Sequence, residues 1–308
     1  MIHSDNDDSP LATLELFFGD ANDAIARVYA RVAITPGQRA ENITLSGMVS
    51  GPECAFATTL PARVPLLSKG PGVSLLAEAV VPDPCFWTTE LPFLYRVRVE
   101  LRNGNEVLAA REQMFGIRRL GVSGRKLYFD TKRYIVRAVS LENTLERDWL
   151  AWRAADAAML VQNPNDDFCR RASEQGVLLL AMISSKSRPI EGDIRRLARW
   201  PAVGIAILET PPSSAKTYRA AAGNLLLAEL QSAGSTMQMN PSKADWADVV
   251  VTKITANATH SSQISSADFP ELIVRQKAAF ESLAVARSAC DQLQRELARL
   301  GDFAGYGV

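Results

Sequence analysis

Two regimes of hydrophobic patterning meet near residue 118. Before it, short apolar runs alternate with polar residues at a period of two and are separated by turn signals. The clearest is LYRVRVEL at 94–101, where Leu94, Val97, Val99 and Leu101 are interleaved with Arg96, Arg98 and Glu100. Asn103-Gly104-Asn105 then turns the chain into Val107-Leu108-Ala109-Ala110, which predicts an antiparallel hairpin with one solvated face. Similar runs occupy 13–18, 25–32 and 43–49, punctuated by Gly19-Asp20, Pro36-Gly37, Gly51-Pro52 and Gly70-Pro71-Gly72. About seven such strands over 11–118 predict a β-sandwich. Residues 1–10 are expected to be a disordered leader.

Beyond residue 118 the runs become apolar on both faces and alternate with helical stretches, as strands of a helix-covered parallel sheet do. A small hairpin at 120–130 is followed by eight candidate strands at 134–140, 158–162, 177–183, 203–208, 225–230, 248–252, 272–275 and 303–308. Eight is the count of a (β/α)8 TIM-type barrel, but 119–308 is shorter than the roughly 250 residues typical of that fold. Some helices must be trimmed or missing, and none is evident between Leu230 and Asp248. One helix is well marked: Leu283, Ala286, Cys290, Leu293, Leu297 and Leu300 form a single stripe, with Gly301 as its expected C-cap. Its stripe is expected to pack on the barrel wall.

Charge and composition narrow the function classes. Lys+Arg and Asp+Glu both total 34, so there is no basic excess for nucleic acid, and no partner of that class is expected. No apolar run is long enough to span a membrane, and the acidic start Met1 to Asp8 lacks the apolar core of a signal peptide, so a cytoplasmic location is the default. Cys54, Cys85, Cys169 and Cys290 are far apart and read as reduced thiols. With only His3 and His260, neither a histidine-based triad nor a multi-histidine metal site is expected, and no cofactor is implied. Any chemistry falls to carboxylates, amides and hydroxyls.

The join between the two regimes carries a resemblance. PDPCFWTTELPFLY at 82–95 is similar to the P-x-x-W-(S/T)-P-E-x-P-x-L-Y segment of family 2 glycoside hydrolases, the β-galactosidase, β-glucuronidase and β-mannosidase relatives. FGIR at 115–118 resembles the family's F-G-(F/I)-R exit from its immunoglobulin-like middle domain. LYFDTKRYIVRAV at 127–139 resembles the hairpin and first barrel strand. Pro164 to Gly176, with Phe168, Glu174 and Gln175, and WPAV at 200–203 continue the match in order. The resemblance implies an immunoglobulin-like β-sandwich followed by a shortened TIM-type barrel.

It also implies catalytic positions that this sequence does not fill. Retaining glycosidases need two carboxyl groups about 5–5.5 Å apart. The family's Asn and the acid/base Glu that follows it after strand four fall on Thr210 and Pro211, and its nucleophile at the end of strand seven on Arg275 or Gln276. No basic residue occurs at 158–164 for the strand-two arginine, Ser140-Leu141-Glu142-Asn143 replaces N-R-H-E, and 301–308 lack the strand-eight tryptophan. The stretch before residue 11 is too short for the family's amino-terminal jelly roll. The expectation is a catalytically degenerate relative whose barrel mouth offers Glu142, Asn143, Gln162 and Asn163 to a carbohydrate ligand or protein partner. The alternative is an active glycosidase using Glu209, with Glu142 as a candidate second carboxylate. Against that alternative, Glu209 could be a loop residue or an ion-pair partner of Arg137. Glu271 reads as an exposed charge at a strand start, and Asp245 and Asp248 as caps beside Trp246. Oligomeric state is not encoded legibly.

Overall fold

The computed structural model describes residues 10–33, 43–70, 72–144, 146–184, 189–209, 215–233, 236–237, 242–256, 259–260, 267–276 and 279–308. The expected leader up to residue 9, the Pro36-Gly37 turn, Thr210 and Pro211 lie outside these. The chain divides into two compact units, Met1–Trp87 with Phe93–Ile117, and Thr88–Pro92 with Arg118–Val308.

The first unit contains β1 (Glu15–Ala21), β2 (Ile25–Ala33), β3 (Ile43–Glu53), β4 (Ala62–Ser68), β5 (Ser74–Pro82), β6 (Leu94–Asn103) and β7 (Glu106–Phe115). The order is β1-β2-β5-β4-β3-β6-β7, with every pairing antiparallel. The expected β-sandwich is present in a sandwich-like form, its two leaves joined into one continuous, half-barrel-like sheet. The reason is β4: its residues 62–66 pair with β3, whereas Leu67 and Ser68 pair with β5. A strand that changes partner midway joins the two leaves at a corner.

Strict alternation then fills one core. Ala26, Val28, Ala30 and Val32 of β2 and Ala77, Ala79 and Val81 of the adjacent β5 share one buried cluster with Leu45 and Val49 of β3 and Tyr95, Val97, Val99 and Leu101 of β6. The buried Tyr95 hydroxyl accepts a 2.8 Å hydrogen bond from the Cys85 amide, and burial pushes its phenol up to about 12. On the opposite face of the sheet, Glu78 accepts from Arg27, Tyr29 and Lys69 at 2.7–3.0 Å.

In the second unit β8 (Leu120–Ser123), β9 (Lys126–Phe129) and β10 (Lys132–Tyr134) form a small antiparallel sheet. The strand expected at 134–140 therefore breaks at Ile135. Its first residue belongs to this sheet and the remainder to the next element. Ten strands follow: β11 (Val136–Ser140), β12 (Ala158–Gln162), β13 (Leu179–Ile183), β14 (Val203–Leu208), β15 (Leu226–Ser232), β16 (Thr236–Met237), β17 (Val249–Ile254), β18 (Thr259–His260), β19 (Glu271–Arg275) and β20 (Gly305–Gly307). All but the two-residue pair β16 and β18 close into an eight-stranded parallel barrel. All eight expected barrel strands are present.

The helices are α1 (Trp149–Ala154), α2 (Asp166–Gln175), α3 (Ile190–Leu197), α4 (Ala215–Ala222) and α5 (Leu283–Leu297). Among the described residues none lies between β15 and β17, or between β17 and β19, so the helical ring is reduced on that side. Asn165 opens α2 by accepting from the Phe168 amide, and Gly176 closes it in the left-handed conformation. Leu283, Ala286, Cys290, Leu293 and Leu297 are the buried stripe of α5, as the periodicity predicts. The helix stops before the expected Gly301, because Leu300 turns back to bond the Leu297 carbonyl.

Arg118 anchors the N-terminal end of the barrel. Its buried guanidinium donates to the carbonyls of Pro201, Val203 and Asn224, at 2.6 Å to Val203 and 3.1 Å to Asn224. No carboxylate bonds to it among the described residues, and burial lowers its pKa to about 10, which leaves it cationic at neutral pH.

Candidate functional site

Paired residues on neighbouring parallel strands point to the same side of the sheet, so the register fixes which side chains enter the barrel. Ser140 pairs with Leu160, Gln162 with Met182, Met182 with Ile207, Ser232 with Lys253, and Lys253 with Val274. These positions end at the C-terminal mouth, where barrel enzymes place their working groups. There a cavity of about 380 Å³ is lined by Ser140, Glu142, Asn143, Leu160, Gln162, Met182, Glu209, Lys253, Val274, Arg275, Gln276 and Val308.

Four of the five residues singled out in the sequence, Glu142, Asn143, Gln162 and Glu209, thus share one cavity. Glu142 and Asn143 reach it on a 3-10 turn, Leu141–Asn143, that follows β11 directly. Gln162 closes β12, and Glu209 is the exposed residue just past β14, two positions beyond the inward-facing Ile207. Asn163 is excluded from the lining. Its amide nitrogen donates to Ser184 Oγ at 2.7 Å and its Oδ1 accepts from the Ser184 amide at 3.2 Å, which ties β12 to β13 outside the cavity.

Several alternative assignments resolve differently. Arg137 pairs with Asp291 at 2.7 Å and with Gln294 of α5, not with Glu209. Both residues considered for the end of the seventh strand border the cavity, Gln276 after the inward-facing Val274 and Arg275 with its guanidinium donating to Glu296 of α5 at 2.6 Å. Glu271 is not exposed: it is 4% accessible, on the outer wall, and accepts from Thr252 Oγ1. Asp248 pairs with Arg219 of α4 and accepts from the Leu227 amide, so it holds β17 and β15 together.

Lys253 is the residue that sequence reasoning missed. The expected strand stopped at Thr252, whereas β17 runs to Ile254, so its last inward position is a lysine. The available signal was the alternation Val249, Val251, Lys253, masked by the equally apolar Val250 between them. Among the described residues the side chains of Lys253, Glu142 and Glu209 form no ion pair with one another or with any other group. Nor do three His, Cys, Asp or Glu side chains converge where a metal ion could sit, among those residues.

Comparison with known proteins bears on the whole chain. Residues 19–118, which take in most of the first unit, match the family model for glycosyl hydrolases family 2. No curated protein matches. Among solved structures, the β-glucuronidase of Bacteroides uniformis aligns over 96% of this chain and 45% of its own length, with 13% identity and a TM-score of 0.58. A family 2 glycosyl hydrolase from Bacteroides cellulosilyticus aligns over 96% and 44%, at 11% identity and a TM-score of 0.59. The β-glucuronidase of Bifidobacterium dentium, complexed with coumarin-3-O-glucuronide, aligns over 96% and 59%, at 13% identity and a TM-score of 0.55. The chain therefore spans about half the length of these proteins. It is similar to family 2 glycosyl hydrolases, in sequence through its first unit and in fold through both.

Proposed function

We propose that the chain is a catalytically degenerate glycoside hydrolase-like protein whose barrel mouth binds a carbohydrate without cleaving it. One observation carries this reading: Glu142, Asn143, Gln162 and Glu209 line a single cavity at the C-terminal mouth. Carboxylate and amide groups supply the acceptors and donors that sugar hydroxyls need. Gln276 supports the degenerate part, because a neutral amide stands where the resemblance implies a nucleophilic carboxylate. The finer immunoglobulin-like reading of the first unit belongs to the same proposal. It is supported by the strand order, first-second-fifth-fourth and third-sixth-seventh, and by Tyr95 at the start of β6 bonding back to Cys85. A cytoplasmic setting is proposed with it.

A second reading, hydrolysis with Glu209 as general acid, is favoured by the presence of two carboxylates, Glu142 and Glu209, in the same cavity. Hydrolysis of aryl β-glucuronide, β-galactoside, β-mannoside and β-glucoside by wild type beside Glu209→Gln separates the two. Silence from both proteins, together with saccharide binding that Gln162→Ala weakens in a calorimetric titration, is the expected result. Turnover by wild type that disappears in Glu209→Gln overturns it in favour of the hydrolase.

A further inference from the structure

We infer that Lys253 is a carbonyl-capturing amine, so that the mouth takes up small aldehydes or ketones, such as hydroxyaldehydes, as covalent iminium adducts. The inference shares a cavity with the saccharide reading but does not depend on it. Lys253 is the last inward-facing residue of β17, half-buried, in a cavity of about 380 Å³ with Leu160, Met182, Val274 and Val308 as apolar lining. No described side chain neutralises its ammonium, so the amine is not committed to a structural ion pair. Glu142 and Glu209 line the same space and are likewise unpaired among the described residues. An amine, two carboxylates able to carry protons and an apolar lining are the components that imine formation requires.

The step balances without a further reactant. The ammonium of Lys253 gives one proton, by way of solvent water, to a cavity carboxylate, and the freed lone pair forms a C–N bond to the carbonyl carbon while the C=O π pair moves to oxygen. That oxygen takes the carboxylate's proton, then a second proton that leaves nitrogen, and departs as water. The product is a protonated C=N bond, and the carboxylate ends as it began. Net, ammonium and carbonyl give iminium and water.

The test is reductive trapping on the full chain. Glycolaldehyde and cyanoborohydride are added at mildly alkaline pH, and the reduced adducts are located by peptide mass mapping. The exposed Lys132 and Lys216 serve as internal controls. The expected result is modification of Lys253 roughly tenfold faster than of either control, with loss of the fast phase in Lys253→Arg. Labelling that follows exposure alone, or a fast phase that persists in Lys253→Arg, overturns the inference. Because the adduct is located on the wild-type chain, the result stands even if the variant folds poorly. A protein that fails to bind saccharides but traps glycolaldehyde at Lys253 separates this inference from the saccharide reading.

Discussion

Thr252 Oγ1 donates a 2.7 Å hydrogen bond to Glu271 Oε1 on the outer wall of the barrel, and the other carboxylate oxygen of Glu271 is buried without a hydrogen-bond partner. Burial raises the pKa of this acid, against the smaller opposing effects of the Thr252 bond and the charge of Arg125. A raised folded pKa means that the native state holds its proton at pH values where the unfolded chain has released it. Stability from this group is therefore highest at low pH and falls as pH rises from the ordinary carboxylate range through the raised value. Urea unfolding of wild type beside Glu271→Gln across that range should show wild type losing ground to the variant as pH increases. A constant difference would contradict it.

Glu78 behaves in the opposite sense. Hydrogen bonds from Lys69, then Arg27, hold its carboxyl down at about 2. Its contribution is present above the unfolded pKa of about 4.3 and is lost as pH falls toward the folded value. Because Arg27 and Lys69 are themselves well exposed, solvent screening trims the effect to about 1–2 kcal/mol. Glu78→Gln should lose that amount at neutral pH and nothing near pH 2, measured as the difference in unfolding free energy.

Arg118 is a buried cation satisfied by carbonyl oxygens alone. Arg118→Met removes the charge but strands the carbonyls of Pro201, Val203 and Asn224, and should cost about 3 kcal/mol or more in chemical denaturation. Arg118→Lys should recover only part of this, since one ammonium cannot span three acceptors in the geometry of a guanidinium fork.

Gly176 combines a φ of +72° with close approach: a Cβ there would lie 2.5 Å from the Thr89 carbonyl oxygen. Gly176→Ala should destabilise the second unit by about 2 kcal/mol, from left-handed backbone strain plus displacement of that carbonyl. Gly192, whose Cβ would meet nothing within 4 Å, is the control, and Gly192→Ala should lose no stability.

The fold was legible where periodicity and burial agree. Continuous apolar runs marked all eight barrel strands, and five of the six expected stripe positions form the buried face of α5, Leu300 lying beyond its end. The single curled sheet of the first unit was not legible, because a strand's switch of partner at Leu66 and Leu67 leaves no mark on alternation. Glu271 misled for a related reason: a charged residue at a strand start is usually solvated, and only its pairing with Thr252 from another strand reverses that. At the mouth, Glu142, Asn143, Gln162 and Glu209 were found because strand ends locate them. Lys253 escaped because a boundary placed two residues early discards the last inward position.

The barrel's final strand, Gly305–Gly307, is three residues long and bonds on both sides, to Val136–Ala138 of β11 and Leu272–Val274 of β19. It is the keystone of the ring. A nascent chain that has emerged only as far as Phe303 carries seven strands with two unsatisfied parallel edges, each a template for foreign strands. Space for the keystone is equally narrow, since a Cβ on Gly305 would stand 2.7 Å from Val136 Cβ. The ring can therefore close only once synthesis has passed Gly307, and until then its two open edges stay available to foreign strands.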